Sequence, residues 1–309
     1  MTGKFPACHG IGVAPPAIGL ELGWLEHVPP RSVTVEVVDQ LTRSPDAELV
    51  WELVEPPGFG LPAITGQVWE EADGCTWVAN TLNMALRIDH DRGVVSVAAK
   101  DRNEQVVLEA LASLALPLVA QRSGALVLHG SAACLDGSAV LLCAQGGSGK
   151  SSLLMGLVTA GWQALSEDQC AVDLDEDGQH RIWPGPNWVR LKHGATRTPL
   201  VADVAPRFEA LDKIAWDLGT SVAHTPARLE RVVLLEEPGG EEVVWEPIGP
   251  DAVVAGLTAH ATWIQRPDRF AAAVLPHIVK LAISVPGFRM RIPRQSDWLE
   301  HGVSVLTGP

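Results

Sequence analysis

The residues best equipped for chemistry are the eight from Ala144 to Ser151, AQGGSGKS. Gly146, Gly147 and Gly149 admit positive φ angles and close backbone approach, so successive N–H groups can converge on an anion at the start of a helix. In such a phosphate loop Lys150 reaches the β- and γ-phosphates, the Ser151 hydroxyl sits on Mg²⁺, and Ser148 and Ser152 complete the cradle. The strict pattern has glycine at the first position, where this chain has Ala144, a mild departure because that position closes the turn. Binding alone is not transfer, which also needs a metal-holding carboxylate and a group that activates the attacking atom. Glu167 and Asp168 are adjacent acids at the end of the following strand. In an extended strand neighbouring side chains point to opposite faces, so both line one site only if the strand kinks there. His129 lies on the strand before the loop, where a lone histidine by itself reads as a core residue. Arg190 and Lys213 are cations suited to the charge spread over a transferring phosphoryl group.

These side chains need elements to hold them. Ser138–Cys143 (SAVLLC) reads as a buried strand and Ser151–Ala160 as a helix, which puts the glycines at a strand-to-helix turn. Ala125–Leu135 with the Asp136-Gly137 turn forms a hairpin with that strand. Gly161 caps the helix, and Trp162–Leu165 runs on into Ser166-Glu167-Asp168. Gln169–Leu174 continues extended to the turn DEDG, and Arg181–Trp183 returns. Val232–Leu235 and Val243–Trp245 flank EEPGG as a further hairpin, and Asp251–Leu281 is largely helical. Upstream, Ser32–Val38 alternates with period two, Leu49–Val54, Gln67–Glu70 and Thr76–Ala79 are short strands, and Ala85–Asp89 and Val94–Ala98 flank the turn HDRG. His90 and Asp91 are turn residues there. A Leu/Ala-rich helix, Glu104–Gln121, broken or kinked near Pro117, joins two modules: a β-rich one over residues 1–103 and one carrying the loop over residues 104–309.

The chain has 309 residues with 47% hydrophobic content, ample for two cores. Its 37 acidic against 23 basic side chains give a formal charge of −14, which repels nucleic acid and anionic lipid. Five dispersed cysteines with no CxxC spacing suggest neither a zinc site nor a disulfide framework. The first thirty residues lack the layout of a signal peptide, and the longest apolar stretch, around residues 110–120, is expected to be too short for a bilayer. A cytoplasmic protein without nucleic-acid or membrane partners is the expectation, and oligomeric state is left open.

The run HGSAACLDGSAVLLCAQGGSGKSSLLMGLVTAGWQALSEDQCAVD, followed by WPGPNWVRL, resembles the catalytic core of the HPr serine kinase/phosphorylase family. The nearest likeness is to the stand-alone HPr-kinase-like proteins of bacterial biosynthetic operons. The shared features are the order and spacing of the HG dipeptide, the DG turn, the glycine loop ending in GKS and the paired acids. The resemblance covers roughly residues 100–300, weakly beyond the core. It implies an α/β fold with a P-loop kinase core of HPr kinase/phosphoenolpyruvate carboxykinase type. It also implies ATP and Mg²⁺ as cofactors and transfer of the γ-phosphoryl group to a hydroxyl of a peptide, protein or metabolite. Carried over by position, Gly146 to Ser151 hold the triphosphate, Asp168 binds the metal with Ser151, and Glu167 is the general base, with His129 as its charge partner. Glu167 stands where the family has aspartate. The glutamate-containing signature of true HPr kinases is absent, and the amino-terminal module shows no likeness to theirs, so HPr itself is not the expected substrate. The competing expectation is a nucleotide-binding module without phosphotransfer; a GTPase switch lacks an NKxD string.

Overall fold

A computed structural model of the chain describes residues 5–13, 24–25, 31–55, 64–80, 84–99, 104–192, 204–210, 213–262, 271–293 and 298–308. Among the described residues it is a mixed α/β structure with three sheets. Two compact units are built around residues 1–124 and around residues 125–262 and 273–309.

The first unit is a nine-stranded sheet. Its strands are β1 (Phe5–Cys8), β2 (Ile11–Val13), β3 (Trp24–Leu25), β4 (Arg31–Val38), β5 (Glu48–Glu55), β6 (Ile64–Glu70), β7 (Thr76–Asn80), β8 (Met84–Asp89) and β9 (Val94–Ala99). They lie in the order 3-1-2-4-9-8-7-6-5. Period-two alternation sets the buried face: Met84, Leu86 and Ile88 of β8 and Val95, Val97 and Ala99 of β9 are all buried. His90 sits in the β8–β9 turn as expected, its Nε2 bonded to Thr76 Oγ1 at 2.9 Å.

Helix α1 (Glu104–Arg122) packs on β2, β8 and β9. It therefore lies with the β-rich unit, whereas the sequence reading places it with the glycine loop. The expected irregularity appears as a widened π-helical turn at Leu111–Ala115, just ahead of Pro117, whose ring nitrogen cannot donate to the preceding turn. The helix does not break, and its 19 residues are long and apolar enough to cross a bilayer, contrary to the expectation of too short a stretch. Two thirds of its most apolar window is buried inside the protein, as in a core helix.

The second unit begins with β10 (Leu126–Leu135) and β11 (Ser138–Cys143), an antiparallel hairpin turning at Asp136 and Gly137. Helix α2 (Lys150–Thr159) follows, then β12 (Gln163–Ser166), β13 (Gln169–Leu174), β14 (His180–Ile182), β15 (Trp188–Lys192), β16 (Ala205–Ala210), β17 (Lys213–Asp217), β18 (Ala227–Leu235) and β19 (Val244–Ile248). Helices α3 (Pro250–His260) and α4 (Leu275–Ser284), strand β20 (Gly287–Arg291) and helix α5 (Trp298–Thr307) complete it. The main sheet runs β11-β10-β13-β14-β18-β20-β19, and a parallel β11–β18 pairing closes its first part into a ring. Strands β15, β17 and β16 form a separate small sheet.

The hairpin expected across EEPGG does not form. Strand β20 inserts between β18 and β19, parallel to the first and antiparallel to the second. A parallel pair needs a long crossover, and helices α3 and α4 lie in the one between β18 and β20. Helix α2 has no polar face because it is enclosed: Leu153, Leu154, Met155, Leu157 and Val158 are all buried among strand residues such as Val140 and Leu142 and Leu306 of α5.

Candidate functional site

The site is assembled at the point where β11 gives way to α2. Ala144 is fully buried, so its methyl fills the end of the strand. Gly147 (φ +85°) and Gly149 (φ +95°) adopt the left-handed conformations that glycine accepts at low cost, and Gly149 is the N-cap of α2. Leu153 N donates to Gly149 O at 2.9 Å, the first bond of the helix ladder. The amides ahead of it have no intrahelical carbonyl, which makes this end of the helix a donor site. Lys150 is buried, and its Nζ donates to Ala144 O (2.7 Å) and Gln145 O (3.1 Å). Burial lowers its pKa, opposed by the charge of Asp168.

Ser148 departs from its expected place in the cradle. It is buried, its Oγ donates to Gln145 O at 2.9 Å and its N to the same carbonyl at 3.3 Å, so it closes the turn instead of facing outward. Gly146, Gly147, Gly149, Lys150, Ser151 and Ser152 do line a cavity of about 120 Å³, together with Glu167, Asp168, His129, Arg190, Lys192 and Lys213.

The two acids reach one cavity because the strand kinks between them and the next pairing. Strands β12 and β13 both run antiparallel to β10, with Ser166 opposite Ala132 and Gln169 opposite His129, and the ladder is interrupted at Glu167 and Asp168. Asp168 has φ +67°, and Gln169 N donates to Glu167 O at 2.8 Å, a γ-turn centred on Asp168. Such a conformation costs an aspartate about 1–3 kcal/mol, a strain typical of functional sites. Gly130 N donates to Asp168 O at 3.2 Å and Ser166 Oγ to Gln169 O at 2.6 Å, which pin the kink from both sides.

The WPGPN segment then brings in the cation. Gly185 N donates to Leu165 O at 2.7 Å, and a methyl on Gly185 would stand 3.1 Å from Ser166 Cα, so only glycine lets the chain pass this close. Three residues later β15 starts to deliver its alternate side chains, and Arg190 reaches the acids. Its Nη2 lies 2.6 Å from Asp168 Oδ2 and its Nε 3.6 Å from Glu167 Oε2. Lys192 follows two positions on, directly opposite Lys213 across the β15–β17 pair. Strand alternation from Arg190 was the available signal for Lys192, which the sequence reading missed.

Electrostatics separate the two carboxylates. Burial pushes the Asp168 carboxyl up, but Arg190, His129 and Lys213 outweigh it and hold the group at about 2. Glu167, 5% exposed, is instead raised by burial, with the Asp168 charge adding to the rise and Arg190 opposing it. Ser151 Oγ donates to Glu167 Oε1 at 2.8 Å. His129 faces Asp168, Nδ1 to Oδ1 3.6 Å, where the sequence reading paired it with Glu167; the positive φ at Asp168 turns that carboxylate towards β10. Burial lowers the pKa of His129 despite Asp168, which keeps the ring neutral at neutral pH. Elsewhere, Glu71, Asp73 and Cys75 bring ligand atoms within 4.8 Å of one another, but Arg87 already bonds both carboxylates, at 2.9 and 2.8 Å.

Comparison with known proteins gives one family. A model described as SynChlorMet cassette protein ScmC matches residues 94–205. Over that stretch the chain is similar to the ScmC family. The matched region, about a third of the chain, contains the glycine loop, His129, Glu167, Asp168 and Arg190, and ends before Lys213. Among solved structures, the Hpr(Ser) kinase/phosphatase from Coxiella burnetii is similar over 59% of this chain and 94% of that chain, at 11% identity and a TM-score of 0.34. A likeness of that size supports no conclusion on activity. No curated protein matches the chain.

Proposed function

We propose that the chain is an ATP-dependent phosphotransferase with an alcohol as acceptor, built on a P-loop core of HPr kinase type over the second unit. One observation carries this reading: a kinked strand presents Glu167 and Asp168 to the same cavity as the glycine-loop amides, Lys150 and Ser151. The cavity, open to solvent and of about 120 Å³, is well below the 300 Å³ or more of a whole-ligand pocket, which suits a phosphate chain with the nucleoside outside.

The oxygen donors of Ser151, Glu167 and Asp168 are of the type that magnesium prefers, and Ser151 Oγ and Glu167 Oε1 already stand 2.8 Å apart. Ser151 and Asp168 would hold the ion, which when bound neutralises charge on the β- and γ-phosphate oxygens. The protein's own groups divide the remaining work. Asp168 stays ionised beside Arg190, and neutral His129 orients it. Glu167, with its raised proton affinity, accepts the hydroxyl proton as the acceptor oxygen bonds to the γ-phosphorus and the bridge to the β-phosphate breaks. Lys150, Arg190 and Lys213 stabilise charge on the transferring oxygens, and ADP leaves. The acceptor class is a serine of a peptide or protein, or a small hydroxylated metabolite. The formal charge of −14 argues against nucleic-acid and anionic-membrane partners.

A second reading has its own support. Arg190 engages both carboxylates and Lys150 bonds two loop carbonyls, so the charged groups are mutually satisfied, as in a nucleotide-binding module without transfer. Incubation with γ-labelled ATP and peptides from neighbouring genes separates the two. The kinase reading expects a labelled acceptor, and loss of label but retention of nucleotide in Glu167→Gln. Binding without transfer to any acceptor would leave the module, and no binding at all would sink both.

A further inference from the structure

The last helix of the second unit reaches the glycine loop. Helix α5 meets α2 through glycines: a methyl on Gly156 would lie 2.6 Å from Val303 Cγ2 and 3.0 Å from Leu299 Cδ1, and one on Gly302 would lie 2.7 Å from Leu153 Cδ2. Side chains of each helix seated this closely on a glycine of the other leave α5 little room to slide along α2. The first residue of α5, Trp298, lays its indole against Gly149; a methyl there would stand 3.0 Å from Cη2 and 3.4 Å from Cζ3. Gly146 and Gly147 have nothing within 4 Å of the corresponding position. Of the three loop glycines, the one that starts the helix is braced.

Resting on the reading of this loop as a phosphate cradle, we propose that Trp298 is a positioning residue for it. The indole, fixed by the α2–α5 contact, holds Gly149 in its left-handed conformation, so the amides at the start of α2 are aimed before a triphosphate arrives. The ordering that binding would otherwise demand of the glycines is already done, and affinity rises accordingly. The effect belongs to the phosphates, since Trp298 braces the loop from outside the cavity lining.

The test is calorimetric titration of the full chain with magnesium and inorganic tripolyphosphate, with Mg-ATP and with adenosine. Trp298→Ala should weaken tripolyphosphate and ATP alike by about five- to tenfold, the scale of ordering a short segment, and leave adenosine unchanged. Trp298→Phe should restore most of the affinity. Gly302→Ala, which shifts α5 without touching ligand, should reproduce part of the loss. A folded Trp298→Ala that binds tripolyphosphate as the wild type does, or a Trp298→Phe as weak as the alanine variant, overturns the proposal. Should the alanine variant fail to fold, Gly302→Ala decides: a folded Gly302→Ala that binds tripolyphosphate as tightly as the wild type overturns the proposal. If the wild type takes up no tripolyphosphate, the cradle reading itself falls and this inference with it.

Discussion

Replacing Arg190 by methionine keeps most of the side-chain volume and removes the guanidinium that stands between two buried acids. In the folded chain, burial raises the Asp168 carboxyl, and Arg190, helped by His129 and Lys213, more than reverses this, to about 2 against an ordinary 3.8. At about 1.4 kcal/mol per pH unit, the ionised form is favoured by roughly 2–3 kcal/mol. The side chains of Arg190 and Asp168 are 13% and 20% exposed, so water screens little of this. The sign follows from linkage. A carboxyl depressed by folding contributes its full stability above its unfolded pKa, near 4, and that contribution drains away as pH falls from there to about 2. Without the guanidinium, Glu167 and Asp168 face each other across one peptide bond with only lysines and a neutral histidine nearby. Arg190→Met should therefore cost about 2–3 kcal/mol at pH 7, at or just below the range for breaking a fully buried pair because the site keeps some solvent. Urea unfolding followed by tryptophan fluorescence at several pH values measures both effects. The wild type should lose stability steeply between pH 4 and pH 2, and the variant should show a flatter slope there. A loss below about 1 kcal/mol at pH 7, or parallel slopes in the two proteins, would refute the assignment of Arg190 as the group that holds Asp168 down.

Lys150→Ala should weaken triphosphate binding by about ten- to a hundredfold, the worth of charge-assisted bonds, and cost about 1–3 kcal/mol of stability as the buried Ala144 carbonyl loses its donor; titration and a melting curve check this. Because Glu167 is raised by burial, transfer should fall on the acid side at a pH above the ordinary carboxylate range, and Glu167→Gln should reduce it by at least about a hundredfold at every pH. His129, neutral through its lowered pKa, should add no limb near pH 6.5, and a pH–rate profile with such a limb would contradict its assigned state. Gly185→Ala forces a methyl to 3.1 Å from Ser166 Cα; it should cost about 1–3 kcal/mol and lower transfer by shifting the strand that carries Arg190.

Local pattern was enough for much of the scaffold. A period-two run located β4, the HDRG turn located β8 and β9, and the apolar run, glycine loop and helix from Ser138 onward fall where the sequence puts them. Long-range pairing was the part that pattern could not supply. The EEPGG segment has hairpin composition, but its flanking strands are separated by β20, which lies some forty residues on, and no local signal encodes that choice. The helix at Glu104–Arg122 runs on through Pro117, with a π turn just ahead of the missing donor, a tertiary accommodation within a buried helix.

The site shows the same division at finer scale. Residue types and spacing named Gly146, Gly147, Gly149, Lys150, Ser151, Ser152, the acids, His129, Arg190 and Lys213, which line the cavity, and also Ser148, which closes the turn instead. Their pairing depended on one dihedral angle. In an extended strand Glu167 and Asp168 would face opposite sides, and only one could serve. The φ of +67° at Asp168 brings both to the cavity, sends Asp168 to His129 and Arg190, and leaves Glu167 to Ser151. Aspartate is among the few residues with a side chain that tolerate that conformation, whereas glutamate does so less readily. The order Glu-Asp is then the one that the kink permits: the shorter acid takes the strained position, and the longer one reaches the loop from a buried strand end.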